Sequence, residues 1–371
     1  MYRAFHNTRT RHTRLPRLIL LLLCYCMFLI LTACASTAGS PANSTTSTPT
    51  PSPTATPTFT PTPSGPVVSK PLVTYTGHSG PVIGVAWSPD GTRLASCGND
   101  GTVQVWNAKS GQALWQVPVS RYAFACVWSP DSQKIAGGGS DGSITILNAA
   151  NGKKLASYES QLNFIEGLAW SPNSTFIASG SQDNSVKVWD VQNGKLVLTY
   201  SGHTDGVERI AWSPDGTRIA SASHDGTVQV WEAKTGKLLV TYRGHNAPVW
   251  EVAWSPDGKR IVSGTGAAGN YDSVKSNNSV KVWDAATGET LLTYTGTTGQ
   301  AYALAWSPDG KRIASGGDDH YVHVWDASTG QTLLLYTGHT GGIFKIAWSP
   351  DGSLIASASD DGTVQVWRPM V

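Results

Sequence analysis

The chain is 371 residues long, 40% hydrophobic and 14% charged, with a formal net charge of +2. That surplus comes from the first 33 residues, which hold five arginines and no acid; beyond them 22 basic residues face 25 acidic ones. A near-neutral remainder without a basic stripe gives no basis for nucleic acid as a partner.

In chain order, Arg3, Arg9, Arg11, Arg14 and Arg17 precede an apolar run of 14 residues from Leu18 to Leu31. This is the form of a secretory signal. It is short of the roughly 20 apolar residues a spanning helix needs, with a retained anchor as the alternative. Leu31-Thr32-Ala33-Cys34 resembles the bacterial lipoprotein box, in which small residues before a cysteine let a signal peptidase cut ahead of it and the sulfur takes lipid. The resemblance implies that residues 1–33 are a signal peptide and that Cys34 is the lipidated first residue of the mature protein. It also implies an extracytoplasmic protein on a bacterial cell membrane, each buried CH₂ of the acyl chains contributing about 0.8 kcal/mol. Residues 34–66 continue as Ser, Thr, Pro, Ala and Gly, with Phe59 the one large apolar side chain. Such a segment cannot bury a core and reads as a disordered linker, able to span on the order of 100 Å if fully extended.

From residue 67 to 371 the chain repeats. A Trp-Ser-Pro turn begins at Trp87, Trp128, Trp170, Trp212, Trp254, Trp306 and Trp348, at spacings of 41, 42, 42, 42, 52 and 42. A second ladder, Trp106, Leu147, Trp189, Trp231, Trp283, Trp325 and Trp367, closes an alternating segment in each repeat. In the fourth repeat the pattern predicts strands over 206–212, 217–221, 227–231 and 237–242, joined by Ser213-Pro214-Asp215-Gly216, Asp225-Gly226 and Lys234-Thr235-Gly236. Four strands apolar on both faces must be sandwiched between neighbours, so the repeats stack. A period of about 40 to 45 residues marks propeller blades, and seven is an ordinary blade number. The fold class expected is all-β, a seven-bladed β-propeller. The last repeat ends after three strands, while Leu72 to His78 copies the outer-strand pattern of Leu239 to His245. The N-terminal strand is therefore expected to join the last blade and close the ring.

These residues resemble the WD-repeat β-propeller family over the whole domain. The resemblance implies a buried tetrad of His, Ser, Asp and Trp, complete in three repeats: His78, Ser96, Asp100, Trp106; His203, Ser221, Asp225, Trp231; and His339, Ser357, Asp361, Trp367. The third and sixth repeats have Gln161 and Thr297 for His; the fifth keeps His245, Ser263 and Trp283 with Asn277 for Asp; the second keeps Asp141 alone. The second blade, with Leu147 for Trp, is expected to open most readily.

Ser, His and Asp together invite a hydrolase reading, but three copies at one blade position serve to satisfy buried donors and acceptors. No nucleophile elbow, Walker loop, H-E-x-x-H helix or cysteine metal cluster is expected. The protein is accordingly read as no enzyme, with no cofactor and no metal. The family resemblance also places certain positions on the top rim. Four residues before each turn tryptophan stand Ile83, Phe124, Glu166, Glu208, Trp250, Tyr302 and Phe344. Two residues earlier it adds Tyr122 and Phe164, and before the turn aspartate Asn99, Ser140, Gln182, His224, Asp318 and Asp360. These rings either pack between blades or form an exposed patch for partners. The fifth repeat carries ten extra residues within 264–275, in a loop of the same rim, as a recognition loop or as drift. Cys97 and Cys126 stand where other repeats have small or aliphatic residues and read as buried hydrophobes; a disulfide between them stays open.

The function expected is a non-catalytic scaffold that binds a protein or peptide through Tyr122, Phe124, Phe164, Glu166, Glu208, His224, Trp250, Tyr302, Asp318, Phe344 and Asp360. The propeller is expected to be monomeric and tethered outside a bacterial membrane. Binding of a glycan or small ligand in the central channel is the alternative, with a propeller hydrolase or lyase third.

Overall fold

The computed structural model describes residues 65–159, 161, 163–266 and 279–369, and these form strands and turns without a helix. The expected signal peptide, Cys34, nearly all of the linker, Asn277 and most of the fifth-repeat insertion lie outside the described residues. Seven four-stranded antiparallel meanders make the domain. We number them blade one (82–118), two (123–159), three (165–200), four (207–242), five (249–294), six (301–336) and seven (343–367 with 73–75).

Blade four shows why the repeat folds this way. Its first two strands, Val207–Trp212 and Arg218–Ser223, are joined by a turn in which Ser213 Oγ donates to Asp215 Oδ1 at 2.5 Å and accepts Arg218 N–H at 2.9 Å. Gly216 stands there at φ +71°, a left-handed conformation that costs glycine little. Along Arg218–Ser223 successive side chains alternate between two neighbours. Ile219 packs with Ala178 and Val188 of blade three, while Ala220 and Ala222 pack with Val249 and Trp254 of blade five. One strand thus feeds two cores, and a lone blade would leave both faces wet.

Two further contacts repeat between blades. The Nε1–H groups of Trp170, Trp212, Trp254, Trp306 and Trp348 donate to the carbonyls of Val127, Ala169, Ala211, Ala253 and Ala305 in the preceding blade at 3.1 to 3.3 Å. Tyrosines of outer strands also stack on the third-strand tryptophan of the next blade. The pairs are Tyr200 on Trp231, Tyr242 on Trp283, Tyr294 on Trp325 and Tyr336 on Trp367, with ring centroids 4.2 to 4.5 Å apart.

The ring closes as the pattern predicts. Val73, Thr74 and Tyr75 pair antiparallel with Val366, Gln365 and Val364. Tyr75 then reaches across to blade one, stacking on Trp106 at 4.5 Å and donating its hydroxyl to Gln104 Oε1 at 2.6 Å. Trp87 Nε1–H, from blade one, donates to Ala347 O of blade seven at 3.1 Å. One addition was not foreseen: Val67–Val68 pairs parallel with Leu335 and Tyr336, giving blade six a fifth strand.

Blade two is the exception at its junction with blade one. Trp128 Nε1 is buried without a partner, and Val117 and Leu147 occupy the positions of the stacking tyrosine and tryptophan. That junction lacks both repeated ties.

Candidate partner-binding rim

The three complete tetrads lie inside the blades. Nδ1 of His78, His203 and His339 stands 2.8 Å from Asp100, Asp225 and Asp361, and Nε2 stands 2.8 Å from the hydroxyls of Ser96, Ser221 and Ser357. A carboxylate only accepts, so Nδ1 carries the proton and the serine donates to Nε2. The same serines accept Nε1–H from Trp106, Trp231 and Trp367 at 3.2 to 3.3 Å. Burial works to raise the Asp361 carboxyl, but its hydrogen bond and charge pairing with His339 win and bring it down to about 2. Every member is occupied with another, which leaves no free nucleophile.

The incomplete blades depart in ways that the sequence reading did not foresee. In blade six the imidazole comes from the third strand rather than from the segment before the first: His323 Nε2 donates to Asp319 Oδ2 at 3.0 Å, while Thr297 Oγ1 is buried without a partner. In blade five His245 bonds Ser263 at 2.7 Å, yet its Nδ1 finds no partner among the described residues. Burial, then the Lys281 charge, pushes that imidazole down to about 3. The string Gly138 to Gly142 does read G-x-S-x-G, against expectation. It turns between two strands rather than into a helix, and Ser140 Oγ is taken by Tyr122 N–H at 3.1 Å and Ser120 Oγ at 3.2 Å.

At the end of the ring where the innermost strands begin, each of the seven blades sets a side chain. The second residue of each such strand supplies Ile83, Phe124, Glu166, Glu208, Trp250, Tyr302 and Phe344. Backbone bonds from Asn99 N to Pro81 O, His224 N to Gly206 O and Asp360 N to Gly342 O hold the turn residues beside them. The aromatic rings touch one another in two arcs. Tyr122, Phe124 and Phe164 form one, with centroids 6.4 and 5.9 Å apart. His224, Trp250, Tyr302 and Phe344 form the other, at 5.1, 5.6 and 6.0 Å. All seven side chains are partly open to solvent, and the rings pack on one another along the rim.

Acids stand between the arcs. Glu208 accepts Gln182 Nε2–H at 2.7 Å, and His224 Nε2 lies 2.8 Å from Glu208 Oε1 with its N–H turned off the oxygen. Burial works to raise the Glu208 carboxyl, but His224 and Arg209 win and hold it low; His224 is in turn raised by that carboxylate against its burial. Glu166 takes the opposite course. Although part of it stays open, its carboxyl is desolvated and faces the Glu208 charge, which pushes it up to about 8. Two neighbouring acids therefore share one negative charge at neutral pH. Asp318 is used locally, its Oδ1 accepting Gln300 N–H at 2.5 Å, and Asp360 is exposed.

One position deeper along the innermost strands, Arg209, Glu251 and Lys345 line the axis where the other blades have Gly84, Ala125, Gly167 and Ala303. Lys345 Nζ donates to Glu251 Oε2 at 2.5 Å across blade six, and Arg209 Nε stands 3.8 Å from the same oxygen. These three stand one residue beyond the rim positions at 208, 250 and 344. Near Trp250 the fifth-repeat loop departs: a side chain at Gly266 would meet Trp250 Nε1 at 2.7 Å.

The fold and this rim define a β-propeller built of WD repeats. A family model for the second β-propeller of echinoderm microtubule-associated protein matches residues 82–241, and the WD domain, G-beta repeat model matches 236–284, 288–326 and 330–368. Among curated proteins, WD40 repeat-containing protein HOS15 of Arabidopsis thaliana is 49% identical over 41 residues, 11% of this chain and 7% of that protein. WD repeat-containing protein slp1 of Schizosaccharomyces pombe is 48% identical over 44 residues, 12% and 9% of the two chains. Probable cytosolic iron-sulfur protein assembly protein Ciao1 of Anopheles gambiae is 52% identical over 44 residues, 12% and 13%. The matched stretch spans about a tenth of each relative. WD-repeat propellers are in general non-catalytic scaffolds for protein partners, and this chain has their architecture.

Proposed function

We propose that the chain is a protein- or peptide-binding scaffold, and that its partner docks on the rim formed by Phe124, Phe164, Trp250, Tyr302, Phe344 and the Glu166/Glu208 pair. The observation that carries this reading is the chain of aromatic contacts running from blade four to blade seven at one end of the ring. Large aromatic side chains in mutual contact are already ordered, so binding them costs little rotamer entropy, and such rings dominate binding at protein interfaces. The charge shared by Glu166 and Glu208 suits a partner segment carrying a cationic side chain, which would displace the Glu166 proton. The Lys345–Glu251–Arg209 tie fills part of the axis beneath, so the reading places the partner on the rim rather than in a channel.

The scaffold is proposed to sit outside a bacterial membrane, held by lipid on Cys34 and spaced from it by residues 35–66. What supports this is the Leu-Thr-Ala-Cys string after an apolar run. Affinity capture from native membranes tests the rim: a variant carrying Trp250→Ala and Phe344→Ala should lose a partner that wild type retains, and retention of every partner refutes the assignment. Metabolic palmitate labelling tests the anchor, with label lost in Cys34→Ser; label that persists there refutes it.

A further inference from the structure

The junction of blades one and two, which lacks both repeated ties, holds the two cysteines of the domain. Cys97, on the second strand of blade one, and Cys126, on the first strand of blade two, share the apolar cluster sandwiched between those blades. Both are buried and both are free thiols. Their sulfurs converge on one point: a Cβ built on Gly84 would lie 2.6 Å from Cys97 Sγ and 3.4 Å from Cys126 Sγ, so the two sulfurs are no more than about 6 Å apart. Gly84 leaves that space clear, where blades four, five and seven put Arg209, Glu251 and Lys345. This is also the junction without the indole-to-carbonyl bond and without the tyrosine–tryptophan stack.

We propose that Cys97 and Cys126 are a redox pair whose disulfide ties blade one to blade two in place of the two missing contacts. The oxidant is a disulfide of the surroundings, such as glutathione disulfide. Cys126, which keeps 4% of its surface open against none for Cys97, attacks one sulfur of that disulfide and releases one thiol, its own proton passing to the leaving sulfur. Cys97 then gives up its proton and attacks the mixed disulfide, releasing the second thiol. Two protein thiols are oxidised, one disulfide is reduced to two thiols, and no other electron donor or acceptor is needed. Burial, reinforced by Cys126, holds the Cys97 thiol well above its ordinary pKa, so the reduced pair is inert until blade two opens. The two contacts missing at that junction supply the opening.

The test uses the full chain, reduced and then equilibrated across a series of glutathione and glutathione disulfide ratios, alkylated, and digested with trypsin without reduction. Cleavage after Arg93, Lys109, Arg121 and Lys134 puts the cysteines on separate peptides, 94–109 and 122–134. A linked pair of these peptides should appear as the mixture becomes oxidising. The melting temperature should rise with it by roughly 5–10 °C, as expected for closing a loop of this length in a domain of this size. Cys126→Val, the residue that blades one and five carry there as Val85 and Val252, should melt at one temperature in both mixtures. Peptides that stay unlinked at every ratio overturn the pair. A link that forms without raising the melting temperature of wild type above that of Cys126→Val overturns the tie.

Discussion

Tyr75 is the residue through which the head of the domain joins its tail, and Tyr75→Ala measures what that closure contributes. The side chain is 5% exposed, its strand is bonded to blade seven, and its ring lies flat on Trp106 of blade one with the hydroxyl on Gln104. Truncating a buried aromatic to alanine costs about 3–5 kcal/mol. Within that range fall roughly 1 kcal/mol for the stack and about 1 kcal/mol for the Gln104 oxygen left without its donor. Taking about 4 kcal/mol, and about 1.5–2 °C per kcal/mol for a domain of roughly 300 residues, the melting temperature should fall by roughly 6–8 °C in differential scanning calorimetry. Tyr75→Phe keeps the ring and should lose about a quarter as much. Hydrogen exchange supplies the geometry. In Tyr75→Ala the amides of both Val364–Trp367 and Thr102–Asn107 should exchange faster, because one side chain serves both strands. A fall of less than about 3 °C, or faster exchange in only one of the two strands, would show that the ring is closed by something other than this strand.

Blade six offers a double-mutant cycle. His323→Ala should cost about 2–4 kcal/mol by leaving the buried Asp319 carboxylate unpaired, whereas Thr297→His with His323→Gln, which restores the arrangement of the complete blades, should unfold in urea within about 1 kcal/mol of wild type. Acid should destabilise the domain in a definite window. Asp361 is lowered to about 2 against an ordinary 3.8, so its contribution is whole above pH 4 and is lost as pH falls through 2, as a melting-temperature series in pH will show. Glu166 has the opposite sign: raised to about 8, it favours the fold most below 4.5 and progressively less as pH rises through 8, and Glu166→Gln should flatten that alkaline decline. In the reduced protein, native-state exchange should find Ala123–Trp128 and Lys134–Gly139 opening at lower free energy than Val207–Trp212 and Arg218–Ser223; equal protection would contradict the account of blade two.

What the sequence disclosed and what it hid follow from how each feature repeats. The Trp-Ser-Pro turns and the closing strand recur at fixed steps, because each blade must present the same two apolar faces to its neighbours, and so blade number, strand order and closure were legible. The three full tetrads were legible for the same reason. The tyrosines at 75, 158, 200, 242, 294 and 336 also recur, yet a ring that stacks on the next blade has its partner outside its own repeat, and no pattern within one repeat reveals that. His323 escaped notice because it takes the role of position 297 from the third strand rather than from the loop before the first, so its match to Asp319 falls outside the family pattern. Arg209, Glu251 and Lys345 stand at one ladder position in different blades, and what links them is distance across the axis, which no spacing encodes. The rim positions were found, while the unequal charging of Glu166 and Glu208 depends on His224, in the turn after the second strand of blade four, and on burial.

Site-specific photocrosslinking tests the partner rim most directly. A photoreactive side chain in place of Phe344, at the end where the innermost strands begin, should give a discrete adduct with a protein partner in intact cells. The same probe in place of Lys259, exposed in a Trp-Ser-Pro turn at the opposite end, should give none. Adducts from Lys259 alone, or the same adduct from both positions, would contradict the rim as the binding surface.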